Sequence, residues 1–224
     1  MGRIDTVIFD LDGTLLNTLE DLCDSVNYAM RQYGLQEHTL GQVRTYVGNG
    51  VQKLIERAIP QGRDNPCYEQ ILDTFKERYA LHCEDKTCPY EGIEELLEQL
   101  QKQNFRIAIV SNKFDGAVKK LNEKYFSQYI RVAIGESPAV QRKPAPDTVY
   151  QALAELSADA TRAVYVGDSE VDLQTAANVP MTCISVTWGF RTRQQLLDAG
   201  ADENHMIKTP QELLPLLTRL QQEG

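Results

Sequence analysis

The sequence predicts an α/β fold in which a parallel sheet carries helices on both faces and an all-helical domain is inserted after the first strand. Three observations lead to this prediction. Short runs rich in β-branched residues end at polar or glycine residues, stretches with helical periodicity separate those runs, and one segment near the N-terminus is helical throughout. Strands that alternate with helices are typical of a parallel sheet covered on both sides.

Four short apolar runs have the composition of buried strands. Residues 4–9 form the first run and are followed at once by Asp10-Leu11-Asp12-Gly13-Thr14. The other runs span 106–110, 163–166 and 182–186, and they end at Ser111-Asn112-Lys113, Gly167-Asp168-Ser169 and Thr187-Trp188-Gly189. Apolar residues recur at helical spacing in the intervening segments 93–100 and 149–156 and in the C-terminal segment 213–217.

Residues 16–88 break this alternation, because helical patterns follow one another there without a convincing strand. An apolar stripe from Leu19 to Tyr33 ends at Gly34, and further helical stretches cover 40–47, 51–59 and 68–82. We therefore predict two domains: a core formed by residues 1–15 and 89–224, and a helical cap formed by residues 16–88.

The composition excludes several classes of function. With 23 Lys and Arg against 32 Asp and Glu, the net charge is -9, so a general attraction to nucleic acid or to an anionic membrane has no electrostatic driving force. No run approaches the roughly 20 apolar residues of a membrane span, and the first residues lack the apolar core of a signal peptide. We expect a cytoplasmic protein that binds neither nucleic acid nor membrane, and the sequence leaves its oligomeric state open.

Cysteine usage agrees with a reducing compartment. The chain has 5 cysteines, an odd number without a Cys-x-x-Cys pair, which favours free thiols over a disulfide framework. A zinc site that includes His82, Cys83 and Cys88 is the weaker alternative, because no fourth ligand is obvious.

Polar side chains with complementary chemistry follow the predicted strands. These residues are Asp10, Asp12, Ser111, Lys143, Asp168 and Asp172. Because the carboxyl ends of parallel strands share one edge of a sheet, we expect the six side chains to converge there. Clustered carboxylates repel one another, and a bound cation relieves that repulsion. Oxygen ligands without His or Cys favour Mg²⁺, which readily shares its coordination sphere with phosphate oxygens.

This constellation suits phosphoryl transfer. With the phosphoryl group held between Mg²⁺ and Lys143, the Asp10 carboxylate can attack phosphorus and form an aspartyl-phosphate, while Asp12 protonates the leaving oxygen and later activates water. Gly13 allows backbone N–H groups to approach the phosphate, and Thr14 can orient the loop. Taken singly, each residue is better explained as part of a turn or a helix cap, and Lys143 as a solvated loop lysine. Chance occurrence of Asp-x-Asp-Gly-Thr in this length, however, is on the order of one in a thousand.

The motifs resemble those of the haloacid dehalogenase superfamily. They are Asp10-Leu11-Asp12-Gly13-Thr14, Ser111-Asn112, Lys143-Pro144 and Gly167-Asp168-Ser169-Glu170-Val171-Asp172, in the expected order. The resemblance implies a Rossmann-like core with a mobile helical cap. It also implies that Asp10 is the nucleophile, that Asp12 is the acid and base, and that Ser111 and Lys143 are phosphate ligands. The Mg²⁺ ligands implied by the resemblance are Asp10, Asp12 and Asp168, and Asp172 would support the metal or Lys143. An acid at Asp12 favours phosphatases over dehalogenases, since a halide leaves without a proton.

Among the phosphatases of this superfamily, the chain looks most like the phosphoglycolate phosphatases, which implies 2-phosphoglycolate as the substrate. The segments that carry this likeness are Val47-Gly48-Asn49-Gly50, Ser111-Asn112-Lys113, residues 142–147 and residues 165–169. The predicted substrate-binding residues are Gly13, Thr14, Asn112, Lys113, Gly48, Asn49, Gly50 and Lys53. Gly-Asn-Gly is also ordinary turn chemistry. Asn17 and Glu136 depart from the usual pattern and leave the substrate open.

Other functions stay open at this point. A sugar-phosphate mutase, a pyrophosphatase and a phosphonoacetaldehyde hydrolase share the core chemistry, and the last would require a Schiff-base lysine, for which Lys53 is the candidate. A non-catalytic binding module is a further alternative. Such a module would be expected to have lost one of the core motif residues, all of which are present.

Overall fold

The core of the molecule is a parallel sheet, as predicted. The computed structural model describes residues 4–138 and 140–223, so residues 1–3, 139 and 224 of the predicted core lie outside the described part. Over the described residues the sheet has six strands in the order β5-β4-β1-β6-β7-β8. The strands are β1 (Thr6–Phe9), β4 (Arg106–Phe114), β5 (Val132–Glu136), β6 (Ala163–Gly167), β7 (Thr182–Val186) and β8 (Met206–Ile207).

Alternate residues of the strands pack on opposite faces of the sheet, because successive side chains of a strand point to opposite sides. Val7 and Phe9 of β1 belong to one hydrophobic cluster, whereas Ile8 belongs to the other. The core helices are α5 (Ile93–Lys102), α6 (Asp115–Tyr125), α7 (Asp147–Leu156), α8 (Glu170–Ala177), α9 (Arg193–Asp198) and α10 (Leu213–Glu223). Helices α5 and α10 bury apolar residues in the first cluster and α7 does so in the second, so the sheet is covered on both faces.

The segment between β1 and α5 is dominated by helices. They are α1 (Leu19–Gln32), α2 (Leu40–Tyr46), α3 (Gly50–Ala58) and α4 (Tyr68–His82). In α1 the buried side chains Leu22, Val26 and Ala29 follow helical spacing, so one stripe of the helix faces the interior. The boundaries of a separate cap domain stay a prediction.

The prediction that residues 16–88 contain no strand is wrong at the two ends of that segment. β2 (Leu16–Asn17) pairs with β3 (Cys88–Pro89) in antiparallel fashion, with Leu16 opposite Pro89 and Asn17 opposite Cys88. Two-residue strands are too short to show an alternating pattern, which is why sequence periodicity does not reveal them. The chain segments that lead into and out of the helical region therefore lie side by side.

A further correction concerns one of the site motifs. β4 continues to Phe114, so Ser111, Asn112 and Lys113 lie in its last part rather than in a loop after it. The pairing register of β4 with β5 shifts between Val110 and Phe114, and this irregularity carries the motif.

Among the described residues, no helix is long and apolar enough to cross a membrane.

Candidate active site

The predicted core motifs meet at the carboxyl edge of the sheet. β1 marks the point where the strand order reverses, because β4 lies on one side of it and β6 on the other. A cavity lies at this point, between the core and the helical segment. From the core it is lined by Asp10, Asp12, Ser111, Asn112, Lys113, Lys143, Asp168, Ser169, Phe190 and Arg191, and from the helical segment by Leu22, Val47, Gly48, Gly50, Val51 and Leu54.

Asp10 follows β1 directly and begins a tight loop. The N–H of Leu16 donates to the carbonyl of Leu11 at 2.9 Å, and the N–H of Gly13 donates to the carbonyl of Leu16 at 2.9 Å. Gly13 has a φ of +87°, and a Cβ at this position would lie 2.5 Å from Oδ2 of Asp168. Glycine is therefore required here both for the turn and for the close approach of the two acidic loops.

Three buried carboxylates form the acidic side of the site. One oxygen from each of Asp10, Asp168 and Asp172 lies within 4.8 Å of the others. Burial raises the pKa of Asp10 to about 7, although the nearby Lys143 charge opposes the shift. Burial and the charges of Asp172 and Asp10 raise the pKa of Asp168 well above its usual range. Either a proton or a cation relieves this repulsion, and buried carboxylate oxygens without His or Cys fit Mg²⁺.

Lys143 supplies the positive charge opposite these carboxylates. Its Nζ lies 2.9 Å from Oδ1 of Asp10 and 2.8 Å from Oδ1 of Asp172, and it donates to the hydroxyl of Tyr165 at 2.9 Å. Burial alone would lower the pKa of Lys143, but the two carboxylates outweigh burial and raise that pKa well above the usual range. Lys143 is therefore a fixed cation next to the predicted nucleophile.

Asp12 is paired with a second buried lysine. Lys113 Nζ lies 2.8 Å from both carboxylate oxygens of Asp12, and the Thr18 hydroxyl donates to Oδ1 at 2.7 Å. The Lys113 ammonium also lies 4.7 Å from the ring centroid of Tyr79, a residue of α4. These contacts fix the orientation of the Asp12 carboxylate.

Asp172 lies in the first turn of α8 rather than in a loop. Its Oδ2 accepts hydrogen bonds from the Ser169 hydroxyl at 2.6 Å and from the Ser169 N–H at 3.1 Å, while Oδ1 pairs with Lys143. Both oxygens are thus engaged with protein groups, and one of them contacts Lys143. A direct part in metal binding stays a prediction.

The structure places some of the predicted substrate-binding residues outside the cavity lining. Lys53 Nζ lies 2.5 Å from Oε1 of Glu56, and the Asn49 side chain accepts a hydrogen bond from Arg57 at 2.8 Å. Gly13 and Thr14 lie behind Asp10 in the tight loop. Asn112, Lys113, Gly48 and Gly50 do line the cavity. The binding roles of all eight residues stay predictions.

Phe190 and Arg191 are cavity residues that sequence reasoning missed. They come directly after Thr187-Trp188-Gly189 at the end of β7, a segment that carries none of the predicted motifs. The Phe190 N–H donates to Oδ2 of Asp168 at 2.6 Å. The rule that ligands bind at the carboxyl ends of parallel strands would have pointed to this loop.

A comparison with known families agrees with this geometry. Residues 7–186 match the model of the haloacid dehalogenase-like hydrolases. The matched range includes the loop of Asp10 and Asp12, the helical segment and the loop of Asp168 after β6. The chain belongs to the haloacid dehalogenase-like hydrolases.

Within this hydrolase family, the chain is similar to proteins named phosphoglycolate phosphatase. The chain is 33% identical over 190 residues to a phosphoglycolate phosphatase of Pseudomonas savastanoi pv. phaseolicola. The aligned region covers 82% of this chain and 70% of the relative. It is 31% identical over 191 residues to a phosphoglycolate phosphatase of Mesorhizobium japonicum, covering 84% of each. Both relatives are phosphoglycolate phosphatases by name, and this haloacid dehalogenase-like hydrolase is similar to them along most of its length.

A solved structure shares the whole architecture. The crystal structure of a Lactobacillus delbrueckii subsp. bulgaricus protein, described as a candidate phosphoglycolate phosphatase, has a TM-score of 0.91 and 34% sequence identity. The match covers 96% of this chain and 98% of that one. The helical segment and the core of this hydrolase therefore have the arrangement found in that relative.

Proposed function

We propose that the protein is a Mg²⁺-dependent phosphatase that hydrolyses a small phosphorylated metabolite, 2-phosphoglycolate, through an aspartyl-phosphate on Asp10. The observation that carries this proposal is the buried juxtaposition of Asp10 with Asp168 on one side and Lys143 on the other. The named relatives support the choice of substrate. The partner is accordingly a small-molecule phosphate ester, and we place the reaction in the cytoplasm, an assignment supported by five free cysteines.

The residues that would hold Mg²⁺ are Asp10 and Asp168, with Asp12 and Asp172 as the further predicted ligands. When bound, the ion offsets the charge of the carboxylates and of the phosphoryl oxygens. Lys143 neutralises the phosphoryl group from the opposite side, and Ser111 can donate its hydroxyl to a phosphoryl oxygen.

In the first step, an Asp10 carboxylate oxygen forms a bond to phosphorus as the bond from phosphorus to the leaving oxygen breaks. Asp12 donates a proton to that oxygen, which requires its pairing with Lys113 to loosen. In the second step, water attacks phosphorus, Asp12 takes the water proton, and the bond to Asp10 breaks to release inorganic phosphate.

The cavity supports a small substrate. The space that it encloses is only about 40 Å³, far below the several hundred Å³ of a pocket for a drug-sized ligand, which favours a small phosphate ester over a large one. The helical segment contributes aliphatic side chains and glycine backbone to the wall, including Leu22, Val51 and Gly50. The pairing of Lys53 with Glu56 outside the cavity lining does not favour the Schiff-base alternative.

Phosphate release with Mg²⁺ from a panel of phosphate esters tests the proposal. We expect 2-phosphoglycolate to be hydrolysed with the highest kcat/KM, and Asp10→Asn to lower kcat by roughly 10³-fold or more because no covalent intermediate can form. Asp73→Asn, which alters an exposed carboxylate, is the matched control. Equal turnover by wild type and Asp10→Asn would exclude the covalent mechanism, and preference for another ester would exclude this substrate.

A further inference from the structure

The loop after β7 contacts the helical segment and two parts of the site. These are the acidic cluster, which consists of Asp10, Asp168 and Asp172, and the nucleophile loop, residues 10–16. We define the clasp loop as residues 188–191, Trp-Gly-Phe-Arg. Neither the predicted motifs nor the proposed reaction assigns a task to its last residue. Arg191 is nevertheless largely buried, with 9% of its surface exposed, and it lines the cavity.

Two arginines join the clasp loop to the helical segment reciprocally. Arg191 donates from its terminal nitrogens to the carbonyl of Val47 at 2.9 Å and to that of Arg44 at 3.2 Å. In the opposite direction, Arg44 donates to the carbonyl of Phe190 at 2.7 Å and to that of Gly189. Each arginine therefore satisfies backbone carbonyls of the other's segment, which ties the two backbones together.

The same loop reaches the acidic cluster and the nucleophile loop. The Phe190 N–H donates to Oδ2 of Asp168 at 2.6 Å, and the Trp188 indole N–H donates to the carbonyl of Thr14 at 3.0 Å. A Cβ on Gly189 would lie 2.4 Å from the Asp168 Cβ. The loop is thus packed too closely against Asp168 to move without changing the surroundings of that carboxylate.

Glu170 holds the Arg191 side chain from the core side. Its two carboxylate oxygens lie 2.8 Å from Nε and 3.2 Å from a terminal nitrogen of Arg191. The guanidinium is therefore fixed by the core while its remaining donors serve the helical segment. Such a planar fork of donors suits this bridging position, whereas a lysine ammonium could not satisfy the same set of acceptors.

We infer that Arg191 is a positioning residue: together with Arg44 it couples docking of the helical segment to the orientation of Asp168, so that docking and Mg²⁺ binding favour each other. This inference rests on the proposed function, because it takes Asp168 as a metal ligand. By linkage, a substrate or product that draws the helical segment onto the core would tighten Mg²⁺ binding, and loss of the arginine contacts would weaken it.

The direction in which the Mg²⁺ affinity changes when Arg191 is replaced distinguishes a positioning role from a purely electrostatic one. Removing a positive charge near a cation site relieves repulsion and should tighten Mg²⁺ binding. Positioning predicts the opposite, because Asp168 loses the loop that orients it. The double variant Arg191→Met/Glu170→Gln removes the pair with no change in net charge, and it should weaken Mg²⁺ binding as well.

The experiment is a Mg²⁺ titration of the full chain in the presence of inorganic phosphate, followed by calorimetry and by the emission of Trp188, the single tryptophan of the chain. We expect Arg191→Met, Arg44→Met and the double variant each to raise the Mg²⁺ Kd by about 5-fold or more. Arg193→Met is the matched control, because Arg193 pairs with exposed Glu203 instead of the helical segment. It should leave the Kd within about twofold of wild type.

A Kd that is unchanged or lower in Arg191→Met and Arg44→Met overturns the inference even if their Tm falls, because it would show a merely structural role. If Arg191→Met does not fold, Arg191→Lys keeps the charge, loses the forked donors and is expected to weaken Mg²⁺ binding in the same direction. Failure of the wild type to bind Mg²⁺ would instead refute the proposed function, and this inference with it.

Discussion

Lys143 stabilises a buried concentration of negative charge that would otherwise be costly. It lies within 3 Å of carboxylate oxygens of both Asp10 and Asp172, and the three side chains are buried together. A buried ion pair contributes little net stability, but removing one partner leaves the other uncompensated. The charge balance of the site therefore depends on each member of the group.

Asp172→Asn tests this dependence. We expect the substitution to lower the free energy of unfolding by about 2 kcal/mol, because the hydrogen bonds that Lys143 and Ser169 donate to the charged carboxylate weaken. Relief of the repulsion between Asp172 and the neighbouring carboxylates offsets part of that loss. Chemical denaturation measures the change. Asp73→Asn, at an exposed pair with Lys76, should change stability by no more than about 0.5 kcal/mol. Similar effects for the two substitutions would contradict a special part for the buried pair.

Asp10 makes the stability of the metal-free protein depend on pH. Its pKa is raised by burial from 3.8 to about 7, so between about pH 4 and pH 7 the folded chain holds a proton that the unfolded chain has released. The free energy of unfolding should therefore fall as pH rises through this window. Denaturation in EDTA at several pH values measures the slope, which should be shallower in Asp10→Asn. Equal slopes in the two proteins would rule out Asp10 as the titrating group.

The residues of the site differ in how well the sequence predicts their positions. Asp10, Ser111 and Asp168 each adjoin or lie in a recognisable strand, so their convergence follows from the geometry of a parallel sheet. Arg191 has no such signal, because its acceptors in the helical segment are backbone carbonyls, that of Val47 being 144 positions away. Any residue type provides a backbone carbonyl, so no pattern in the sequence marks that contact.

Among the elements, the irregular end of β4 matters most for the site. Ser111, Asn112 and Lys113 all lie where the pairing with β5 shifts, so their side chains are presented from a distorted strand instead of a flexible loop. Gly135 of β5 packs against this distortion. A Cβ there would lie 2.6 Å from the carbonyl oxygen of Lys113 and 2.5 Å from the Asp115 Cα.

Gly135→Ala should therefore displace the end of β4. We expect a loss of about 2 kcal/mol in stability, because backbone atoms cannot yield as a flexible side chain would, together with lower phosphatase activity. Gly41→Ala in α2 is the matched control: nothing lies within 4 Å of a Cβ at that position, and the change should be neutral or stabilising by up to about 1 kcal/mol. Denaturation and steady-state kinetics of both variants decide the point.

Elements with strong periodicity were predictable, and those determined by packing were not. The stripes in α1, α5 and α10 identify helices, and the β-branched run of β1 identifies the central strand. β8 has two residues and pairs only with the end of β7, so its strand character arises from the neighbouring backbone. α6 buries only a few side chains, such as Val118 and Leu121, within an otherwise polar sequence.

At the scale of the whole molecule, the site lies between two parts of the chain, so its ligands should stabilise the folded state. A ligand at about 100 times its Kd adds about 2.7 kcal/mol, and 1 kcal/mol shifts Tm by about 2–4 °C in a chain of this size. We expect Mg²⁺ with inorganic phosphate to raise Tm by roughly 5–10 °C. Thermal unfolding with NaCl at matched ionic strength is the control, and an equal rise with NaCl would contradict specific binding.

The paired strands β2 and β3 carry the chain into and out of the helical segment at a single place. Because β2 and β3 are paired, the residues between them could be exchanged for those of a relative at two neighbouring junctions. The order of the strands in the large sheet would not change. The aliphatic side chains that line the cavity belong to the exchanged segment, whereas the site carboxylates Asp10, Asp12, Asp168 and Asp172 belong to the part that is kept. Chimaeras between relatives joined at this ribbon should accordingly inherit chemistry from one parent and selectivity from the other.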